Sequence, residues 1–372
     1  MSKDYFVDAD ITAASTLEGA FYHDAAAWAV VRERVFARSW QWIGGLADVA
    51  APNSLAPREL LRGLLGEPVL LARDRTGTLR CLSNVCTHRG NILVSEAGRA
   101  EQIRCRYHSR RFDLAGRMIF MPEFEQARNF PSPADDLPQL PFGTWAGHAF
   151  AALDPAAPLA AFLGDLTARM EWLPVEAFRH EPKRDRDYVV DAHWALYVEN
   201  YLEGFHIPFV HAELNEVVDY GSYASELFRY SNLQVALAKS GEAAFEPPAT
   251  SVDHRRRIAA YYWWVFPNLM LNFYPWGLSI NRVEPETTDR TRIAFRSYVF
   301  DADKLDCGAG AGLDRVEMED EAIVQAVQRG VRSRLYRRGR FSPTRERGVH
   351  HFQRLLCEFM QAPTAEGQAR HH

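Results

Sequence analysis

The sequence lacks the features of several protein classes. Five of its 372 residues are cysteines, an odd number and too few for the disulfide framework of a secreted protein, so we expect a reducing, cytoplasmic environment. The 43 basic and 48 acidic residues give a formal charge of -5, which provides no general attraction for nucleic acid or for an anionic membrane. The uncharged stretch 261–280 contains Pro267 and Pro275, which suits buried strands better than a membrane helix.

The apolar pattern predicts an α+β protein with two domains. Short apolar runs separated by glycine, proline and asparagine fill 40–154, as in a small antiparallel β domain. After a proline-containing boundary, helices are expected near 159–170, 313–336 and 344–360, and strands near 227–238, 258–273, 278–284 and 291–300. An apolar and acidic segment lies near 194–204. The predicted divisions are an N-terminal helical segment that packs on the larger domain (1–39), a β domain (40–155), a larger domain (156–360) and a disordered tail (361–372).

Two short motifs combine cysteine with histidine. Cys86-Thr-His88 is followed, after sixteen residues, by Cys105-Arg-Tyr-His108. Each motif could present one thiolate and one imidazole to a metal centre from a tight loop. A zinc site with two cysteines and two histidines is one alternative, and chance burial is another. Zinc fingers pair cysteine with cysteine and histidine with histidine. Here each loop contributes one cysteine and one histidine, which favours a Rieske [2Fe-2S] cluster.

A second metal site is indicated by Glu203, His206 and His211. On one continuous helix the two histidines would lie about 140° apart, so both could not reach one ion. Pro208 between them lets the chain turn, which places His206 at a helix end and His211 on the following loop. Two imidazoles and a carboxylate would form the facial triad of a non-haem Fe(II) oxygenase. The alternative is a pair of structural histidines.

Helical periodicity suggests the third ligand. The predicted helix from 313 has an apolar stripe, and Asp320 falls in the middle of it, where an unpaired carboxylate would be costly. Asp320 is therefore the first choice and Glu317 the second, with a buried ion pair to arginine as the other explanation for Asp320. Glu319 and Glu321 are predicted to face solvent. The residues of the stripe are Val316, Ile323, Val324, Val327, Val331 and Leu335.

Together these motifs make the chain resemble the catalytic α subunit of a Rieske non-haem iron oxygenase. The resemblance implies a Rieske β domain and a helix-grip catalytic domain with a curved antiparallel sheet. It implies trimers, or multiples of them, in which the acid Glu203 links His206 to the neighbouring subunit's cluster ligand, at the position of His108. Asn200 matches a motif position near the iron. The second loop departs from the usual Cys-Pro-Tyr-His-Gly-Trp, and its extra arginines, Arg106, Arg110 and Arg111, could stabilise the reduced cluster, receive an acidic redox partner or be merely solvated.

The resemblance also implies an activity. With glutamate at position 203, the chain resembles the branch of the family that acts on choline, glycine betaine and carnitine. Aromatic residues could form a cage for such cations or simply belong to the core. The expected function is a monooxygenase that hydroxylates, and can thereby dealkylate, a small substrate with O2, with electrons from NAD(P)H through a separate flavin or iron-sulfur reductase. Alternatives are an aromatic-ring dioxygenase or O-demethylase, or a non-enzymatic iron-sulfur carrier or sensor. The candidate pocket residues are Trp263, Phe266, Phe273, Tyr274 and Trp276.

Overall fold

The computed structural model describes residues 4–362, so 363–372 of the expected tail lie outside the described residues. The chain divides into two compact units. One is Ala37–Ala156, and the other combines the residues up to Phe36 with those from Ala157 onward. The predicted domain boundaries lie close to these and remain predictions. Within the described residues, no helix has both the length and the apolar character that crossing a bilayer requires.

The unit Ala37–Ala156 contains three small antiparallel sheets. Their strand orders are β1-β10-β9, β4-β3-β2-β5 and β6-β7-β8. Leu70, Leu82 and Phe112 form a buried core around Cys86 and Cys105. Both cysteine loops therefore rest on packed strands. The strands are β1 (Gln41–Gly45), β2 (Ser54–Leu60), β3 (Glu67–Arg73), β4 (Leu79–Ser83), β5 (Gly98–Arg99), β6 (Ile103–Arg104), β7 (Arg111–Phe112), β8 (Met118–Phe120), β9 (Phe142–Trp145) and β10 (His148–Ala151).

The second unit is built on one antiparallel sheet of eight strands, in the order β11-β18-β17-β16-β15-β14-β13, with β12 also paired to β18. The strands are β11 (Arg179–His180), β12 (Arg186–Val190), β13 (Ala224–Leu227), β14 (Ser231–Leu237), β15 (Ile258–Val265), β16 (Leu269–Tyr274), β17 (Gly277–Thr287) and β18 (Arg290–Val299). The helices are α1 (Ala25–Val31), α2 (Leu159–Met170), α3 (Trp194–Tyr201), α4 (Ile207–Val210), α5 (Ala212–Val217), α6 (Leu313–Gly330) and α7 (Arg347–Gln361). The α+β prediction is confirmed.

Strand alternation divides the residues of this sheet between two faces. In the register of β14, β15 and β16, Gln234 pairs with Tyr262, and Tyr262 pairs with Asn272. These three therefore share one face, and Trp263 next to Tyr262 points to the other. The predicted single strand 258–273 is wrong, because the chain turns at 266–268 between β15 and β16.

The buried face of α6 differs from the predicted stripe. Glu317, Val324 and Gln328 are buried, whereas Ile323 and Val327 are 40% and 41% exposed. The predicted stripe is thus right for Val324 and Val331, which are buried, and wrong for Ile323, Val327 and Leu335, which are exposed. The predicted extension of the helix to 336 is also wrong, because α6 ends at Gly330. Polar residues occupy the buried face because this helix supplies side chains to a polar site.

Candidate functional site

The two cysteine loops have the same backbone turn. The carbonyl of Cys86 accepts from the Gly90 N–H at 3.0 Å, and that of Cys105 accepts from the Ser109 N–H at 3.1 Å. Gly90 and Ser109 both have a positive φ, 70° and 61°, which closes each turn. Each loop thus presents its cysteine and its histidine from a tight turn. We call these four residues the loop site (Cys86, His88, Cys105 and His108).

The chemistry of the loop site fits an iron-sulfur cluster. Cys86 and Cys105 are buried, and the rings of His88 and His108 are 4.8 Å apart. Burial opposes ionisation of both thiols and raises the pKa of Cys86, whereas the backbone N–H groups of Tyr107 and His108 lower the pKa of Cys105 below its usual value, so Cys105 ionises more readily of the two. His108 Nδ1 is buried and has no hydrogen-bond partner within 4–362, so it is an unsatisfied atom that a metal would satisfy.

Arg110 is neither solvated nor available to a redox partner. Its side chain is 2% exposed, and it donates to Asp135 Oδ1 at 2.7 Å and to Thr87 Oγ1 at 2.8 Å. Thr87 lies between the two ligands of the first loop, and it donates in turn to the Asp135 carbonyl at 2.7 Å. The arginine therefore joins both loops to a third segment. The expectation that Arg110 is a solvated or partner-binding residue is wrong.

The second set of candidate ligands comes together in the other unit. One ligand atom from each of His206, His211 and Asp320 lies within 4.8 Å of the others. Asp320 Oδ1 is 3.0 Å from His211 Nε2 and 3.5 Å from His206 Nε2. We call these three residues the triad. Two imidazoles that direct the same nitrogen toward one carboxylate form a donor set suited to a divalent transition metal.

The local chain explains the orientation of the two histidines. His206 precedes the one-turn helix α4 and His211 follows it, with Pro208 in the first turn, where its missing N–H costs little. The proline therefore begins a short helix, instead of ending the preceding one as predicted. Asp320 reaches the same point from α6.

Each triad residue is held by a neighbour. His206 Nδ1 is 2.6 Å from Glu203 Oε1, and Asn200 Nδ2 donates to Asp320 Oδ1 at 2.6 Å. His211 Nδ1 is 2.7 Å from Glu319 Oε2. Carboxylates at Nδ1 favour the tautomer that leaves Nε2 free to ligate. The prediction that Glu319 points away toward solvent is wrong, because α6 turns it to His211.

Glu317 does not belong to the triad. It is 4% exposed, and its Oε2 accepts from the Tyr197 hydroxyl at 2.6 Å. Burial, together with the charges of Asp320 and Glu321, raises the pKa of Glu317 to about 8, although the Tyr197 hydrogen bond acts in the opposite direction. The second-choice ligand is therefore a carboxyl group of the adjoining cavity.

A cavity of ≈ 110 Å³ opens beside the triad. Tyrosines and amides provide much of its wall, and α3 contributes residues at helical spacing, since 197, 200 and 201 share one face. Sequence reasoning missed most of these residues, although that spacing was a usable signal. The residues concerned are Tyr197, Tyr201, Tyr223, Gln234, Tyr262, Asn272, Asn281 and Phe295, together with Glu317.

The predicted aromatic pocket is largely wrong. Of its five residues, Tyr274 lines the cavity. The other four, Trp263, Phe266, Phe273 and Trp276, are fully buried away from it. Trp263 stacks on Phe228 with ring centroids 5.4 Å apart, and Trp276 stacks behind Tyr274 at 5.4 Å. The correct aromatic residue of β15 is Tyr262, one position before Trp263 and hence on the opposite face.

Comparisons with known proteins find a matching domain family for each of the two sites. Residues 39–131 match the Rieske [2Fe-2S] domain, and residues 170–362 match the ring hydroxylating alpha subunit (catalytic domain). Choline monooxygenase from Arabidopsis thaliana is 28% identical, over 92% of this chain and 82% of the relative. The carnitine monooxygenase oxygenase subunit of Escherichia coli K12 is 29% identical, over 92% of this chain and 93% of the relative.

Structural similarity agrees with these matches. A quaternary ammonium Rieske monooxygenase has a TM-score of 0.79 at 24% sequence identity, and the alignment covers 96% of this chain and all of that one. The predicted fold, a Rieske domain followed by a catalytic domain on an antiparallel sheet, is confirmed. The match to the catalytic domain covers just over half of this chain, so the chain belongs to the family of ring-hydroxylating alpha subunits.

Proposed function

We propose that this chain is the terminal oxygenase of a multicomponent monooxygenase whose substrate is a quaternary ammonium compound. The chain is an oxidoreductase with a Rieske [2Fe-2S] cluster and a mononuclear iron. The observation that carries the substrate assignment is the cavity wall, where five tyrosines adjoin the triad. Aromatic faces attract a cation that cannot donate hydrogen bonds. The names of the similar proteins, choline and carnitine monooxygenases, support the same class.

The loop site would hold the cluster, with Cys86 and Cys105 on one iron and His88 and His108 on the other. The triad would hold the mononuclear iron. Loaded with both centres, an enzyme of this kind would use O2, two electrons and two protons to place one oxygen atom in a substrate C–H bond, with the other oxygen atom leaving as water. A hydroxylated carbon that bears nitrogen can then lose the amine as a separate fragment.

The side chains around the triad keep its ligands in their working state. Glu203 and Glu319 accept hydrogen bonds from the Nδ1–H groups of His206 and His211, which fixes the orientation of both rings and leaves each Nε2 directed at the metal position. Asn200 fixes the Asp320 carboxylate by donating to it. The apolar and aromatic part of the cavity wall excludes water from the bound substrate.

Electron delivery is proposed to cross between copies of the chain. Glu203 would join its own His206 to His108 of the next copy in a trimer or a multiple of it. Exposed aromatic residues near both ends support association, because Phe209 beside the triad is 79% exposed and Tyr107 beside His108 is 60% exposed. The electrons would come from NAD(P)H through a flavin or iron-sulfur reductase, and we place the system in the cytoplasm.

A substrate screen with a reconstituted reductase tests this function. We expect substrate-dependent NADH consumption, matched by a product of the corresponding mass, with at least one quaternary ammonium compound. Turnover confined to aromatic rings or aryl ethers would replace the proposal by the dioxygenase or O-demethylase alternative. Iron confined to the cluster, without a mononuclear centre, would point to an electron carrier.

A further inference from the structure

The charge of the cavity wall is unbalanced. Apart from the triad and Glu203, its one carboxyl group is that of Glu317, and among the residues within 4–362 that line it none is arginine or lysine. A zwitterionic substrate would thus bring its carboxylate into a wall without a countercharge, which is costly in a site of low polarity. A substrate that carries only the ammonium charge meets no such cost.

Two buried oxygen atoms of the wall have no hydrogen-bond partner among the residues that the structure describes. Glu317 Oε1 is one, since only Oε2 is used by Tyr197. Gln234 Oε1 is the other: this side chain is 1% exposed, and its Nε2 donates to the Tyr201 carbonyl at 2.7 Å. Buried acceptors without a donor are rare in native proteins and usually await a ligand or water. The Gln234 oxygen can only accept, and Glu317 Oε1 accepts once its carboxyl group is ionised, so both then suit a cation or a hydroxyl donor and neither suits an anion.

On the basis of the proposed function, we propose that Glu317 is a specificity-determining residue that selects quaternary ammonium alcohols over zwitterionic betaines. Its carboxylate supplies the countercharge for the ammonium group, and the Gln234 carbonyl oxygen accepts the hydrogen bond of the alcohol. The tyrosines orient the head group through their ring faces.

The ionisation of Glu317 agrees with this role. Burial raises its pKa to about 8, so the empty cavity holds the carboxyl largely protonated near neutral pH and avoids an unpaired buried charge. The neighbouring acids Asp320 and Glu321 on α6 raise this pKa as well, while the Tyr197 hydroxyl on α3 lowers it. A bound cation would favour the ionised form and release the proton.

Calorimetric titration of the metal-loaded enzyme tests the proposal with three probes: choline, glycine betaine and tetramethylammonium. We expect the native chain to bind choline at least about ten-fold more tightly than glycine betaine. Glu317→Gln should weaken choline and tetramethylammonium by about ten-fold and leave glycine betaine little changed. Glu216→Gln on α5 is the matched control, because Glu216 is exposed, lies outside the cavity wall and is not one of the charges that shift the pKa of Glu317.

The outcomes separate this inference from the proposed function. Equal affinity for choline and glycine betaine, or unchanged choline binding in Glu317→Gln with its iron content intact, overturns the role of Glu317 and leaves the quaternary ammonium assignment standing. Failure of all three probes to bind the native enzyme overturns the substrate class itself. Glu317→Asp keeps the charge and should retain the preference for choline, which covers the case in which the glutamine variant folds poorly.

Discussion

The loop site and the triad differ in how far apart in the sequence their residues lie. The four residues of the loop site fall within 86–108, and each loop closes through its own backbone hydrogen bonds. The triad joins a short segment around α4 to Asp320 on α6, more than a hundred residues later. A local site can be read almost completely from sequence, whereas a site assembled from distant elements reveals its ligands but conceals the residues around them.

Removal of the distant ligand should have the largest effect. Asp320→Ala takes away the carboxylate on which both imidazoles converge, so the mononuclear iron should be lost and turnover should fall below detection. The Rieske absorption spectrum should persist, because all four residues of the loop site are unchanged. Iron analysis per chain, with Glu321→Gln as the control, measures this. Loss of the cluster together with the mononuclear iron would show that the two sites do not fold independently.

Glu203→Gln should separate iron binding from electron delivery. The amide keeps the size of the side chain but accepts the His206 proton less strongly, since it carries no charge. We expect both metal centres to remain and turnover to slow by about 100-fold, the upper range for groups that orient metal ligands. Rapid-mixing measurement of cluster reoxidation in the presence of substrate reports the step directly. Native reoxidation rates would contradict the bridging role of Glu203.

Arg110→Leu tests how independent the loop site is. The substitution leaves Asp135 and Thr87 without their guanidinium partner, and breaking such a buried pair costs about 3 kcal/mol. The thermal midpoint for loss of the cluster absorption should therefore fall. Arg106→Leu, at an exposed position of the same loop, should change it little. An equal effect of both variants would indicate that positive charge near the cluster, and not the junction between the loops, is what matters.

The sequence was sufficient to find the candidate ligands that the structure brings together, because their spacing reflects local geometry. Cysteine and histidine two or three residues apart belong to one turn, and Pro208 signals a break between His206 and His211. The orientation of Glu319 and the aromatic residues of the cavity wall could not be predicted from the sequence, because strand register and helix rotation depend on packing throughout the core. Trp263 and Tyr262 are adjacent and both aromatic, so only the pairing of β15 with its neighbours decides which of them faces the cavity.

Helix α3, which precedes the triad histidines and contributes Asn200 beside Asp320, also depends on distant contacts, and the pH dependence of stability should reveal this. Glu199 on α3 is partly buried, and it accepts from the Tyr22 hydroxyl at 2.8 Å and from Gln353 Nε2 at 2.9 Å. Burial raises its pKa to about 7. Between about pH 4.5 and pH 7 the folded chain therefore holds a proton that the unfolded chain has released, so the stability due to this group falls as the pH rises through that window and is constant above it.

Glu199→Gln removes this titrating group. The quantity to compare is therefore the difference in the free energy of unfolding between the native chain and the variant. The free energy of unfolding of the native chain, relative to the variant, should decrease by on the order of 2 kcal/mol between pH 5 and pH 8, because all other titrating groups are common to both. Denaturant titrations at the two pH values, monitored by tryptophan fluorescence, measure this difference in the free energy of unfolding. The melting of the cluster absorption should show no such difference, since Glu199 and its partners lie in the other unit. A pH-independent difference between native chain and variant would mean that Glu199 is ionised in the folded protein, and the contacts from Tyr22 and Gln353 would then have to stabilise a buried charge.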